Sequence, residues 1–137
     1  MIKILKPDEY LEHFQKVGYL ALKAKLVPGV LSNLRDVTLN AELLRIQSER
    51  CIVYYIEDNN DPDVCAYSVV FEDHWNPHVM GIGYSMINTL SSGSTEICNK
   101  LLRRIKNDAI KAGMQWIYIS HRVKEFEYRG KYYILKG

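Results

Sequence analysis

Cysteine is scarce in this sequence and poorly placed for cross-linking. The three cysteines, Cys51, Cys65 and Cys98, are odd in number, widely spaced, and form neither a C-x-x-C pair nor a cysteine–histidine cluster. That pattern indicates neither a zinc site nor a disulfide framework, so all three are expected as reduced, buried thiols in a cytosolic protein. Long apolar runs are missing as well. No stretch reaches the roughly 18 residues that a membrane span needs, and Met1–Lys6 lacks the pattern of a secretory signal. The net charge is only +2, too little to advertise nucleic acid as a partner. The nucleotide-binding pattern G-x-x-x-x-G-K-[ST] and the dinucleotide pattern G-x-G-x-x-G are both absent, as are internal repeats and low-complexity tracts.

What is present is ordinary globular usage, 47% hydrophobic and 25% charged, in a chain of 137 residues. That is enough for one hydrophobic core, so residues 1–137 are expected to form a single domain. Ten tyrosines are many for this length. Their amphipathic rings suit half-buried strands.

Periodicity then divides the chain. Ile2–Leu5 alternates apolar and basic residues as a short strand does. Pro7, Asp8 and Glu9 open a helix, and Tyr10, Leu11, Phe14, Val17, Ala21 and Ala24 continue it at helical spacing to about Leu26, before Pro28-Gly29. Leu39, Leu43, Leu44 and Ile46 mark a second, shorter helix. Cys51–Ile56 and Val64–Phe71 are β-rich runs joined by the turn-forming Glu57–Asp63, which predicts a hairpin. After the break Asp73–His78 (DHWNPH), Met80, Ile82, Tyr84 and Met86 alternate with Gly81, Gly83 and Ser85. Glycine inside a strand marks a bulge or the close approach of another backbone or a ligand. A helix is expected over Thr95–Ala112, with the apolar stripe Ile97, Leu101, Leu102, Ile105, Ala109 and Ile110 and a terminal Gly113. Gln115–Ser120 reads as a strand. Phe126–Tyr128 and Lys131–Leu135 read as a last hairpin turning at Arg129-Gly130. The expected fold class is α/β in the α+β sense: a mixed, largely antiparallel sheet flanked by helices.

Strand, turn and basic helix in that order suit a phosphate-bearing ligand. Ser91, Ser92, Gly93, Ser94 and Thr95 lead into the helix, whose N-terminus leaves about four backbone N–H groups unpaired under a partial positive charge. Gly93 lets a ligand approach the backbone, and Ser94 or Thr95 is a good N-cap. A merely well-capped turn has the same composition.

The order of elements resembles the GNAT superfamily of acyl-CoA-dependent N-acyltransferases, especially the short members encoded by tailed phages. The similarity runs from about His74 to Ser120. It lies in the DHWNPH turn, in Leu101-Leu102, and in Ala112-Gly113 followed by the apolar Trp116–Ile119. The resemblance implies acetyl-CoA as donor and an amine as acceptor. The central strand, at Tyr84, Ser85, Met86 and Ile87, would hold the pantetheine by backbone hydrogen bonds, and the turn Ser91–Thr95 would hold the pyrophosphate. The family's turn reads Q/R-x-x-G-x-G/A, whereas Gly93 is the only turn glycine here, and glutamate and cysteine (Glu96, Cys98) stand where the glycines fall. This is a degenerate form of the acyl-CoA motif. The family's helix after the fifth strand has no room in His121–Glu125.

Candidate proton acceptors are Glu72, Asp73 and His74, at the entry to the central strand. Tyr128 is the candidate donor to a departing thiolate, with Tyr132 and Tyr133 nearby. Lys100, Arg103, Arg104 and Lys106 form a basic group on the helix, suited to a CoA phosphate or simply to solvent. Two function classes follow. One is an N-acetyltransferase of the host cytoplasm. The other is a non-catalytic protein on the same scaffold, a phage virion or assembly component or a binder of a viral or host protein. They differ in one respect: a catalyst keeps the groove beside the central strand open, and a scaffold fills it, most simply with the C-terminal tyrosines.

Overall fold

The computed structural model describes residues 1–23, 34–72, 79–87, 94–124 and 127–135. Strands β1 (Ile2–Ile4), β2 (Cys51–Glu57), β3 (Cys65–Glu72), β4 (Val79–Ile87), β5 (Trp116–Lys124) and β6 (Glu127–Ile134) lie side by side in chain order in one sheet. Every neighbouring pair is antiparallel except β4 and β5. Helices α1 (Tyr10–Lys23) and α2 (Leu34–Ile46) pack on one face and α3 (Ser94–Lys111) on the other. The expected mixed, largely antiparallel sheet with flanking helices is what forms.

Period-two alternation in β2 and β3 divides their side chains between two cores. Val53, Tyr55, Cys65, Tyr67 and Val69 meet Tyr10, Phe14 and Val17 of α1 and Ala41 and Leu44 of α2. Tyr54, Ile56, Ala66 and Val70 meet Ile97, Leu101, Ile105 and Ala109 of α3. The first core is knit by stacked rings, Tyr10 on Phe14 at 5.9 Å and Phe14 on Tyr67 at 4.0 Å. Truncating the fully buried Phe14 to alanine removes a stacking partner as well as apolar area, a loss of about 3–5 kcal/mol.

Local chemistry sets the connections. The β2–β3 hairpin closes on Asp58, whose carboxylate accepts the N–H groups of Asn60 and Asp61, both at 3.1 Å. Its own N–H donates to Val64 O at 2.9 Å. Parallel neighbours need a crossover, and α3 supplies the one between β4 and β5. It stops at Gly113, the one described glycine with positive φ, at 82°. There the N–H of Gly113 bonds Ile110 O and that of Met114 bonds Ala109 O, closing the helix end.

Four expectations are corrected. β5 does not end at Ser120 but runs to Lys124, so His121–Lys124 is strand rather than connection. Arg129-Gly130 is not a turn: β6 continues through it, pairing Arg129 with His121 and Gly130 with Ser120. Gly130 is needed there for space and not for chain reversal, because the Tyr118 ring lies over it. In α2, Leu39, Leu43 and Ile46 are exposed, and Ala41 and Leu44 supply the buried contact. Of the cysteines Cys65 is buried, whereas Cys51 and Cys98 are only partly so. The first helix is described to Lys23, and its expected end near Leu26 lies outside the described residues.

Candidate active site

β4 and β5 are hydrogen-bonded neighbours over only four residue pairs, from Val79–Trp116 to Ile82–Ile119. Beyond them each strand follows its other partner. β4 continues against β3, with Tyr84, Ser85, Met86 and Ile87 opposite Val69, Ser68, Tyr67 and Ala66. β5 continues against β6, from Ser120–Gly130 to Lys124–Glu127. The two strands therefore part and leave a wedge-shaped opening in the sheet.

Glycine sits at the point of parting. Val70 pairs with Ile82 and Val69 with Tyr84, so Gly83 is the extra residue of a bulge, and a bulge bends its strand and raises its twist. Past Ile82, β4 has β3 on one edge and no strand among the described residues on the other. Strand edges present N–H and C=O groups in a row and accept the amides of an extended ligand as they would another strand. Tyr84, Ser85, Met86 and Ile87 all lie on that row.

α3 begins at Ser94, a short connection after Ile87, which brings its N-terminus to the mouth of the wedge. Glu96 in its first turn is exposed, and its carboxylate pairs with Lys100 one turn on, at 3.3 Å. That pairing offsets the carboxylate's charge at the start of the helix. The rest of the basic group is split up. Arg104 Nε donates to Asp108 Oδ2 at 3.0 Å, while Lys106 and Lys131 stand 5.9 and 5.5 Å from the centre of the Tyr133 ring. Arg103 is exposed.

The other candidates are placed as follows. Glu72 ends β3 opposite Met80, exposed, on the rim of a cavity of about 550 Å³ that also takes in Arg50, Ile52, Phe71 and Met114. This cavity lies at the start of β4, the opposite end from the mouth of the wedge. Glu72 stands about 10 Å along the sheet from the bulge, at ~3.3 Å per residue. Ser94 and Thr95 open α3, and Tyr128 lies on β6 opposite Arg122. Asp73, His74, Ser91, Ser92 and Gly93 lie outside the described residues. Tyr132 and Tyr133 are exposed.

No cysteine is set up as a nucleophile. Burial raises all three thiols, Cys65 to about 11, which keeps them protonated near neutrality. Among the described residues no group of three or more histidine, cysteine or acidic side chains could hold a metal. No described helix is long and apolar enough to cross a membrane.

Two features went unseen in the sequence. Lys16 Nζ meets Tyr55 Oη at 3.1 Å and Glu57 Oε2 at 2.8 Å, linking α1 to β2. Aromatic and apolar residues also alternate in register on β5 and β6, Trp116 opposite Ile134 and Tyr118 opposite Tyr132. The period-two spacing within W-I-Y and Y-Y-I was the available signal for the second feature. Gly130, a turn residue by type, interrupts that spacing in the sequence.

No family model and no curated protein matches the sequence. Solved structures do match. The aminoglycoside 6'-acetyltransferase type Ii aligns over 93% of this chain and 76% of its own, with a TM-score of 0.65 and 10% identity. An acetyltransferase from Thermus thermophilus aligns over 88% and 76%, at TM-score 0.61 and 16% identity. The PaiA N-acetyltransferase from Thermoplasma acidophilum, solved with coenzyme A, aligns over 92% and 82%, at TM-score 0.58 and 12% identity. The sheet that parts between β4 and β5, with α3 at its mouth, is thus the GNAT fold, shared with these acetyltransferases at the level of architecture.

Proposed function

We propose that this protein is an acyl-CoA-dependent N-acyltransferase that moves an acetyl group from acetyl-CoA to an amine. The observation that carries the reading is the parting of β4 from β5 after Ile82. It leaves a strand edge unpaired among the described residues, of the right form for pantetheine amides, and it ends beside the start of a long helix. The backbone of Tyr84–Ile87 holds the donor's amides. Ser94 and Thr95, with Ser91, Ser92 and Gly93 before them, hold the phosphates, because helix N–H groups and hydroxyls favour anions.

In this reading a neutral amine attacks the thioester carbonyl directly. The new C–N bond forms as the C–S bond breaks, the ammonium proton passes to Asp73 or His74, and the CoA thiolate takes a proton from Tyr128. Direct transfer agrees with the protonated state of the three thiols. Most of the rate comes from holding donor and acceptor in line, which is worth up to about 7–11 kcal/mol in well-oriented cases.

Calorimetry with CoA and acetyl-CoA, together with release of free thiol in the presence of amines, tests this. Both nucleotides are expected to bind, and Gly93→Val should weaken that binding far more than it lowers the melting temperature, since a branched side chain blocks approach to the backbone. Absence of binding by the wild-type protein would refute the reading.

A further inference from the structure

One cross-strand row, Phe71–Gly81–Tyr118–Tyr132, lies on the sheet face opposite α3, each residue directly paired with the next. Beside it Val79, Trp116 and Ile134 form a second row. On this face α1 lies over β3 and β4, and among the described residues its core takes no side chain from β5 or β6. Large apolar side chains are therefore left open: Phe71 and Trp116 are each 39% exposed, Tyr132 52% and Ile134 59%.

Two glycines flatten this surface. A Cβ on Gly81 would lie 3.1 Å from the Phe71 ring, and one on Gly130 would lie 1.7 Å from the Tyr118 hydroxyl. Both rings thus lie down across neighbouring strands. Tyr132 stands against Tyr118 at 4.8 Å between centres, tilted by 53°. On the other face Lys131 and Lys106 gather at Tyr133. The location matters as much as the composition. Tyr118 immediately precedes Ile119, the last β5 residue paired with β4, so the aromatic floor begins where the wedge closes.

We propose that this row is the acceptor subsite and that the acceptor is a small primary amine on a flat apolar body, of the arylalkylamine class. The inference rests on the acyltransfer reading for its role as a subsite. Aromatic faces attract ammonium groups by about 0.5–2 kcal/mol, and they pack flat apolar groups better than hydroxylated or highly charged ones.

Titration of the full chain with 2-phenylethylamine, followed by NMR beside 2-phenylethanol and spermidine, tests the class. The arylalkylamine should bind about tenfold more tightly than the neutral alcohol. Tyr132→Ala should weaken it by about tenfold with CoA affinity unchanged, and Trp116→Leu serves as the second variant if the first does not fold. Equal binding of amine and alcohol, no binding of the amine, or binding untouched by both variants overturns the proposal. So does acetylation of a lysine peptide at a rate that Tyr132→Ala leaves alone. Binding of CoA without the amine sinks the subsite and spares the acyltransferase reading. Variant-sensitive amine binding without CoA does the reverse.

Discussion

The Tyr118 phenol occupies the space that a side chain at Gly130 would fill: a Cβ there would stand 1.7 Å from the hydroxyl oxygen and 2.0 Å from Cζ. Gly130→Ala must therefore move the ring off β6. Overpacking of this kind destabilises by about 1–3 kcal/mol. Denaturant unfolding should show that loss, and Gly130→Ala/Tyr118→Leu should recover most of it. A fully stable single variant would mean that the ring can swing aside freely.

Tyr54 ties the sheet to α3. Its buried hydroxyl donates to Asp108 Oδ2 at 2.8 Å, and Arg104 reaches the same oxygen. Burial, then the carboxylate partner, pushes the phenol well above its ordinary value, so it stays a donor at any working pH. Tyr54→Phe should destabilise by about 1–3 kcal/mol, as expected for a hydrogen bond to a charged acceptor. Asp108→Ala leaves the hydroxyl buried and unpartnered and should be at least as harmful. Since both variants break one bond, the double variant should fall short of the sum of the singles. Strict additivity would show that the contact contributes nothing.

Acid should loosen the α1–β2 link first through Glu57. The hydrogen bond from Lys16 holds its carboxyl below the ordinary value of 4.5, burial opposes this, and the Tyr55 hydroxyl adds to the lowering. A depressed folded value means that the stabilisation is fully present above pH 4.5 and is lost as pH falls through the lower folded value. Both side chains are about one-third exposed, so the effect is modest. In unfolding curves between pH 6 and 2, roughly the range over which a carboxylate titrates, Lys16→Met should flatten the acid limb. An unchanged limb would assign the acid sensitivity elsewhere.

The elements visible in the sequence were those whose side chains carry their own signal. The aspartates and asparagines between Cys51–Ile56 and Val64–Phe71 announced a hairpin, and Asp58 does organise it. The stripe Ile97, Leu101, Ile105 and Ala109 together with Gly113 announced α3, and that stripe is buried. β6 is masked in the sequence because Gly130 carries the same letter whether it serves a turn or a neighbouring ring. The wedge was visible only indirectly. A register shift at Gly83 is a backbone event, and the Gly81/Gly83 alternation says that something comes close without saying what. Glu72 was placed correctly at a strand end, but its position along the sheet relative to the parting follows only from the strand register.

A seam of four residue pairs joins two ribbons, β1 to β4 and β5 with β6. Twisting strain between them concentrates there, since each ribbon is stiffened by its own antiparallel ladder. A ligand bonded to the free edge of β4 would extend this seam and act as a splint. Occupancy should then appear far from the ligand, as slower amide exchange at Val79–Ile82 and Trp116–Ile119.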